Sequence, residues 1–183
     1  MESEDILIEL EELSSNEEIT KDEIMEILKK YARIISVQDL MMATAYMRKD
    51  GEYVQKNYRE KFLKIYIKYF IIRMKEVKEF EDYEDVPIDK DLFNTSFPLL
   101  ERTFEKERRA NDKSNKFPLI YVITSLYTTF ILEEPIHPVG SEFPGSLFVE
   151  ERNGEFYCPV KENQKDNPNA ICHLCLAEQT PDI

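Results

Sequence analysis

Apolar residues recur at helical spacing as far as Glu134, and the polar positions between them mark where each helix starts and stops. Residues 3–14 carry Ile6, Leu10 and Leu13 on one face with Leu7 beside them, which predicts a short amphipathic helix. Thr20 begins a second. Its hydroxyl can take a free backbone N–H of the first turn while Glu23, three residues on, reaches back in a capping box. Ile24, Ile27, Leu28, Tyr31, Ile34 and Ile35 then form one apolar stripe. Ser36 is placed to cap a third helix that runs through Leu40, Met41, Ala45 and Tyr46 and stops near Gly51. Its three methionines, Met41, Met42 and Met47, read as filler for an irregular core.

Residues 54–80 are the longest periodic stretch. Phe62, Ile65, Tyr66, Tyr69, Ile72 and Val77 are among the apolar residues that leave it almost no polar face, apart from a ridge of Lys61, Lys64, Lys68 and Lys75. A helix apolar nearly all round belongs in the middle of its domain, so this one is expected to be central, its lysines meeting solvent or an acidic neighbour. Residues 81–90 are acidic, contain Pro87 and read as a loop. A helix follows from about Leu92 to Arg109, with Pro98 interrupting or kinking it. Lys106, Arg108, Arg109, Lys113 and Lys116 fall in an exposed turn. A last body helix runs from Phe117 or Pro118, an allowed first-turn proline, to about Glu133.

From Pro135 the pattern changes. The segment to Ile183 holds all three cysteines (Cys158, Cys172, Cys175), both histidines (His137, His173), and most of the glycines and prolines. The division expected is therefore a helical body over residues 1–134 and a small Cys/His module over 135–183, packed on it as one structural domain. Pro135, His137, Pro138, Gly140, Pro144 and Gly145 exclude regular structure at its start. Leu147–Glu151 and Glu155–Val160 then flank Asn153-Gly154, the pair that tolerates positive φ in a tight hairpin turn. Asn167-Pro168 is expected to open a final helix that carries Cys172 and Cys175 and ends before Pro181.

Composition narrows the function classes. A chain of 183 residues with 42% hydrophobic content suits one domain with its own core. A net charge of −13 argues against general nucleic-acid binding, which needs a basic footprint. Residues 1–20 are acidic with no basic side chain, and read as a solvated helix and turn. The run from Phe117 to Leu132 is too short and too polar for a membrane span, so no membrane association is expected. The N-terminus lacks an apolar signal segment, and an odd cysteine count does not suit a disulfide framework. A cytoplasmic protein is expected.

The chemistry lies in the module. Cys172-x-x-Cys175 would put two thiols on one face of a helix, in its first two turns, where the dipole favours thiolate. Cys158 would arrive from the end of a hairpin strand. A hairpin giving one ligand and a helix giving a pair is a sulfur-rich tetrahedral arrangement that lacks one donor. His173 would lie about 100° round the helix from Cys172, pointing away from the cysteine face. His137, in a proline-fixed loop, is the preferred fourth ligand. Zinc is the expected metal because it accepts mixed sulfur and nitrogen donors, with an iron–sulfur cluster on the three cysteines as the alternative. The opposing reading is three buried thiols and two ordinary histidines. No phosphate loop, nucleophile elbow or His-Glu-x-x-His is present, and no carboxylate pair stands out.

Five motifs follow in order over residues 137–179: His137-Pro-Val-Gly, Phe143-Pro-Gly, Tyr157-Cys-Pro-Val-Lys, Asp166-Asn-Pro-x-Ala and Cys172-x-x-Cys. Together they resemble the C-terminal signature of an uncharacterised family of methanogenic archaea, domain-of-unknown-function 2115, also known as uncharacterised protein family 0305. The resemblance implies that His137, Cys158, Cys172 and Cys175 occupy motif positions and that His173 does not, which supports His137 as the fourth ligand. It implies no reaction.

The expected fold is mostly α, five or six helices with a small C-terminal metal-binding β-hairpin plus helix. The expected function is a non-enzymatic zinc site that fixes a surface for an unknown protein partner. A metalloenzyme or redox protein using Cys158, Cys172 and Cys175 is the alternative.

Overall fold

The computed structural model describes residues 5–50, 56–110 and 115–181. The expected stop at Gly51, Lys113, and the side chains of Arg108 and Arg109 lie outside what is described. Among the described residues as far as Leu126 there are six α-helices: α1 Asp5–Ser14, α2 Lys21–Ala32, α3 Val37–Asp50, α4 Lys56–Glu79, α5 Lys90–Ala110 and α6 Phe117–Leu126.

The caps expected from the sequence form. Thr20 accepts from the Glu23 N–H, and Glu23 Oε2 accepts from the Thr20 N–H at 2.9 Å. Ser36 Oγ and Asp39 exchange the same pair of bonds at the start of α3. The acidic loop after α4 is tied back at the Thr20–Pro87 bridge, where the Ile88 N–H donates to Ile19 O at 2.9 Å. Pro98 lies inside α5.

The centre of the body is α6, not α4. Every side chain of α6 is buried except Tyr121, which is half-buried, and the helix packs against α2, α3, α4 and α5. A single π-helical stretch, Tyr127–Ile131, continues it and is also wholly buried. Thr124 and Thr128 each turn a hydroxyl onto the carbonyl four residues back, the local competition that disturbs an α-helical ladder. By contrast α4 buries only the face of Leu63, Ile67, Phe70, Arg73, Met74 and Val77. Its lysine ridge is exposed, and Lys61 meets Glu142 at 2.9 Å. Length and apolar content over-weighted α4, because four of its five aromatic residues, Tyr58, Phe62, Tyr66 and Tyr69, are only half-buried.

The methionine reading is also corrected. Met47 is core, but Met41 is 69% exposed and Met42 is 40% exposed. None of the described helices is long and apolar enough to cross a membrane.

The C-terminal segment is built of short strands. β1 (Glu142–Phe143) pairs antiparallel with β2 (Leu147–Phe148). β3 (Glu150–Arg152) and β4 (Glu155–Cys158) form the hairpin around Asn153 and Gly154, both at positive φ. The hairpin is shorter than expected because Leu147 and Phe148 pair with β1 instead.

The expected final helix does not form. Asn167 uses its side-chain oxygen on the Asn169 N–H and its carbonyl on the Ala170 N–H, which makes a turn and not a cap. In place of the helix a 3₁₀ turn, Ile171–His173, leads to β5 (Glu178–Gln179), which runs parallel to β4.

Candidate metal centre

β4 ends on Cys158, which is 5% exposed. The chain then turns through Pro159 and Val160 to Lys161, whose N–H donates to Cys158 O at 3.5 Å, and the N–H groups of Val160 and Lys161 near the sulfur favour its thiolate form. Burial nevertheless pushes the thiol above its ordinary range.

The 3₁₀ turn carries Cys172, and Cys175 follows just after it; both are half-buried. The Leu174 side chain between them is fully buried in the main core. The π-helical stretch of the body holds the same turn, since Thr129 Oγ1 donates to Leu174 O at 3.0 Å. With Leu174 inward, Cys175 joins a second, smaller apolar cluster with Cys158, Val149 and Ala177.

The three thiols are near enough to influence one another. Burial raises Cys172 first, and the sulfurs of Cys175 and Cys158 raise it further. Lys161 spans the gap: its Nζ donates to Cys172 O at 2.5 Å and Cys175 O at 2.7 Å, and its charge favours thiolate at Cys158 and Cys172. The dipole argument for a ready thiolate on this pair fails, because there is no α-helix beneath it and burial dominates. Among the described residues, no three or more His, Cys, Asp or Glu side chains stand together as a preformed metal cage.

His137 lies beside this cluster. Its ring packs against Phe62, Tyr66 and Phe143, with centroids at 5.5, 5.5 and 5.6 Å. Phe143 also packs on the cluster that holds Cys158, so one aromatic ring links imidazole and thiols. The residue keeps some surface, but the ring itself is enclosed. Burial, aided by the Arg73 charge, pulls its pKa down to about 4. The imidazole is therefore neutral, the form a metal ligand needs. His173 is exposed, with Nε2 2.8 Å from Asn167 O.

Two residues that sequence reasoning passed over organise the centre. Lys161 is one, legible only as the last member of Cys-Pro-Val-Lys. Arg73 is the other, an arginine on the buried face of α4. It donates to Ile136 O at 2.9 Å, Pro135 O at 3.1 Å and Glu134 Oε2 at 3.2 Å. With its carbonyl so held, Ile136 directs its N–H to Cys175 Sγ at 3.4 Å. The only signal in the sequence is an arginine among Phe70, Ile71, Ile72 and Met74.

These residues sit inside a shared family pattern. The family model described as "Uncharacterized protein conserved in archaea (DUF2115)" matches residues 20–180. The chain belongs to this family. DUF2115 relatives align with nearly their whole length. A UPF0305 protein of Methanothermobacter thermautotrophicus is 30% identical over 165 residues, covering 90% of this chain and 99% of the relative. UPF0305 protein MJ0646 of Methanocaldococcus jannaschii is 28% identical, covering 88% of this chain and 97% of its own. UPF0305 protein MK0666 of Methanopyrus kandleri is 34% identical, over 70% and 88%. No solved structure matches.

Proposed function

We propose that this DUF2115 chain binds one zinc ion through Cys158, Cys172 and Cys175, with His137 as the fourth ligand, and that the metal fixes the module's outer surface for a partner protein. The observation that carries the reading is the Ile136 N–H aimed at Cys175 Sγ at 3.4 Å, beside a Cys158 whose thiolate form the nearby N–H groups of Val160 and Lys161 favour. A neutral thiol is a weak acceptor and gains little from such donors, whereas a metal-bound thiolate is steadied by them.

Raised thiol pKa values at Cys158 and Cys172 disfavour a nucleophilic dithiol at neutral pH. A metal overcomes that protonation by displacing the protons, which makes loading pH-dependent. Because the side chains form no preformed cage, the metal would draw the three sulfurs inward. For His137 to join them, its imidazole must turn out from Phe62, Tyr66 and Phe143.

Cobalt(II) titration of the full chain tests this. One cobalt per chain should bind with thiolate charge-transfer absorption and be displaced by zinc. Cys158→Ser should abolish that absorption. His137→Ala should keep it but shift the ligand-field bands; unchanged bands would remove His137 from the shell. No stoichiometric metal with three freely titrating thiols would overturn the site, and a brown, oxygen-sensitive protein from anaerobic purification would replace zinc with a cluster.

A further inference from the structure

An open groove of about 650 Å³ lies between α3 and α4, with no cysteine in its lining. Its floor is apolar. Val37, Leu40, Met41 and Ala45 come from α3, Ile71 and Met74 from α4. Val37 is 75% and Ile71 39% exposed, an unusual disposition for neighbouring aliphatic residues.

On both helices the lining residues follow helical spacing. On α3 they span about three turns, roughly 16 Å. Two such ridges side by side form a trough that a third helix fills, with methionine giving an adaptable floor.

The rim is cationic. Arg48, Lys75 and Lys78 line the groove, and no carboxylate lines it among the described residues. Lys78 is at the Val37 end, where its Nζ donates to Ile35 O at 2.8 Å, and Arg48 is eleven residues along α3 from Val37. So cations bracket the groove lengthwise on a chain of net charge −13.

We propose that this groove docks an acidic amphipathic helix of a partner protein, its apolar stripe on Met41 and Ile71 and its carboxylates on Arg48 and Lys75. A second copy of this chain is a poor occupant. Its acidic helix α1 has already committed Ile6 and Leu10 to its own core. The inference is independent of the metal reading, and its failure would leave the cysteines untouched.

The probe is a labelled synthetic helix of about four turns, with leucine at helical spacing and glutamate on its flanks, titrated into the full chain. It should bind saturably, more weakly as salt rises. A peptide with lysine in place of each glutamate should not bind. Met41→Glu should weaken binding at least about tenfold, and Lys75→Glu several-fold, with unchanged melting of both variants. No binding by the acidic peptide, or equal binding by both peptides, would overturn the proposal. So would dimerisation of the free chain that Met41→Glu abolishes. Decanoate binding in the groove with the peptide excluded would assign it to a small amphiphile instead.

Discussion

The element from Phe117 to Ile131 and the segment from Pro135 to Thr180 lie against each other and are held by opposite means. The first is almost wholly apolar burial. Its side chains meet four other helices, and the hydroxyls of Thr124 and Thr128 are spent on its own carbonyls. The second has one fully buried leucine in the main core, Ile171 and the rings of His137 and Phe143 packed against the body, and a set of discrete polar pins. These are Arg73 on residues 134–136, Thr129 on Leu174, and Lys161 across the cysteine turn. Burial is non-directional and spreads over many atoms, whereas a hydrogen bond acts at one point. The body should therefore melt as one unit, while the module should come loose pin by pin.

The largest break in that comparison comes from the body side. Ile123→Ala removes a fully buried side chain of α6 and should lower global stability by about 2–5 kcal/mol in chemical denaturation. Body and module should unfold together in that variant. A module that outlasted the helices would refute the dependence.

Arg73→Met sharpens it next. The substitution fills similar volume but strips two carbonyls and a carboxylate of their donor. About 2–4 kcal/mol should be lost. Proteolysis should begin near residues 134–140 before the helical circular dichroism declines. Simultaneous loss would show that Arg73 supports the body equally.

Lys161→Met should cost about 1–3 kcal/mol and be felt only in the module. Hydrogen exchange should quicken at Cys172 to Cys175 and stay slow in α6. The smallest effect is at the edge of the body. Glu9, held below its ordinary carboxyl range by bonds from Lys30 and Tyr31, stabilises α1 on α2 at neutral pH. Its folded pKa is depressed, so that stability is present above the unfolded carboxyl range and is lost as pH falls through the folded pKa. Glu9→Gln should remove less than about 1 kcal/mol at pH 7 and flatten the acid limb of the stability profile.

The legible parts of this fold are those specified by neighbours in sequence. Thr20 with Glu23, Ser36 with Asp39 and Asn153 with Gly154 each complete their geometry within four residues, and each forms as expected. What was not legible depends on partners far along the chain. Asn167-Pro168 satisfies helix-start chemistry, but the chain forms a turn there, between strands β4 and β5 that pair across about twenty residues. Periodicity marked both α4 and α6 as apolar, and only packing could rank α6 as the centre. Arg73 was invisible for the same reason, since its acceptors lie more than sixty residues downstream. At the candidate site the cysteines and His137 were legible by type and clustering. The donors that meet the sulfurs are backbone groups, which sequence patterns do not display.

Leu174 has a consequence for how the chain is made. It is fully buried among residues of helices that all precede it in the chain, so those helices leave the ribosome before it does. Until then the nascent body has an uncovered socket lined with the side chains that Leu174 will later cover. Domains fold as units during synthesis, and partly built ones expose sticky surface. A message truncated shortly before codon 174 should therefore yield a helical but aggregation-prone product. Adding Leu174 plugs the socket, so the burial of this one residue is a late step in folding of the nascent body.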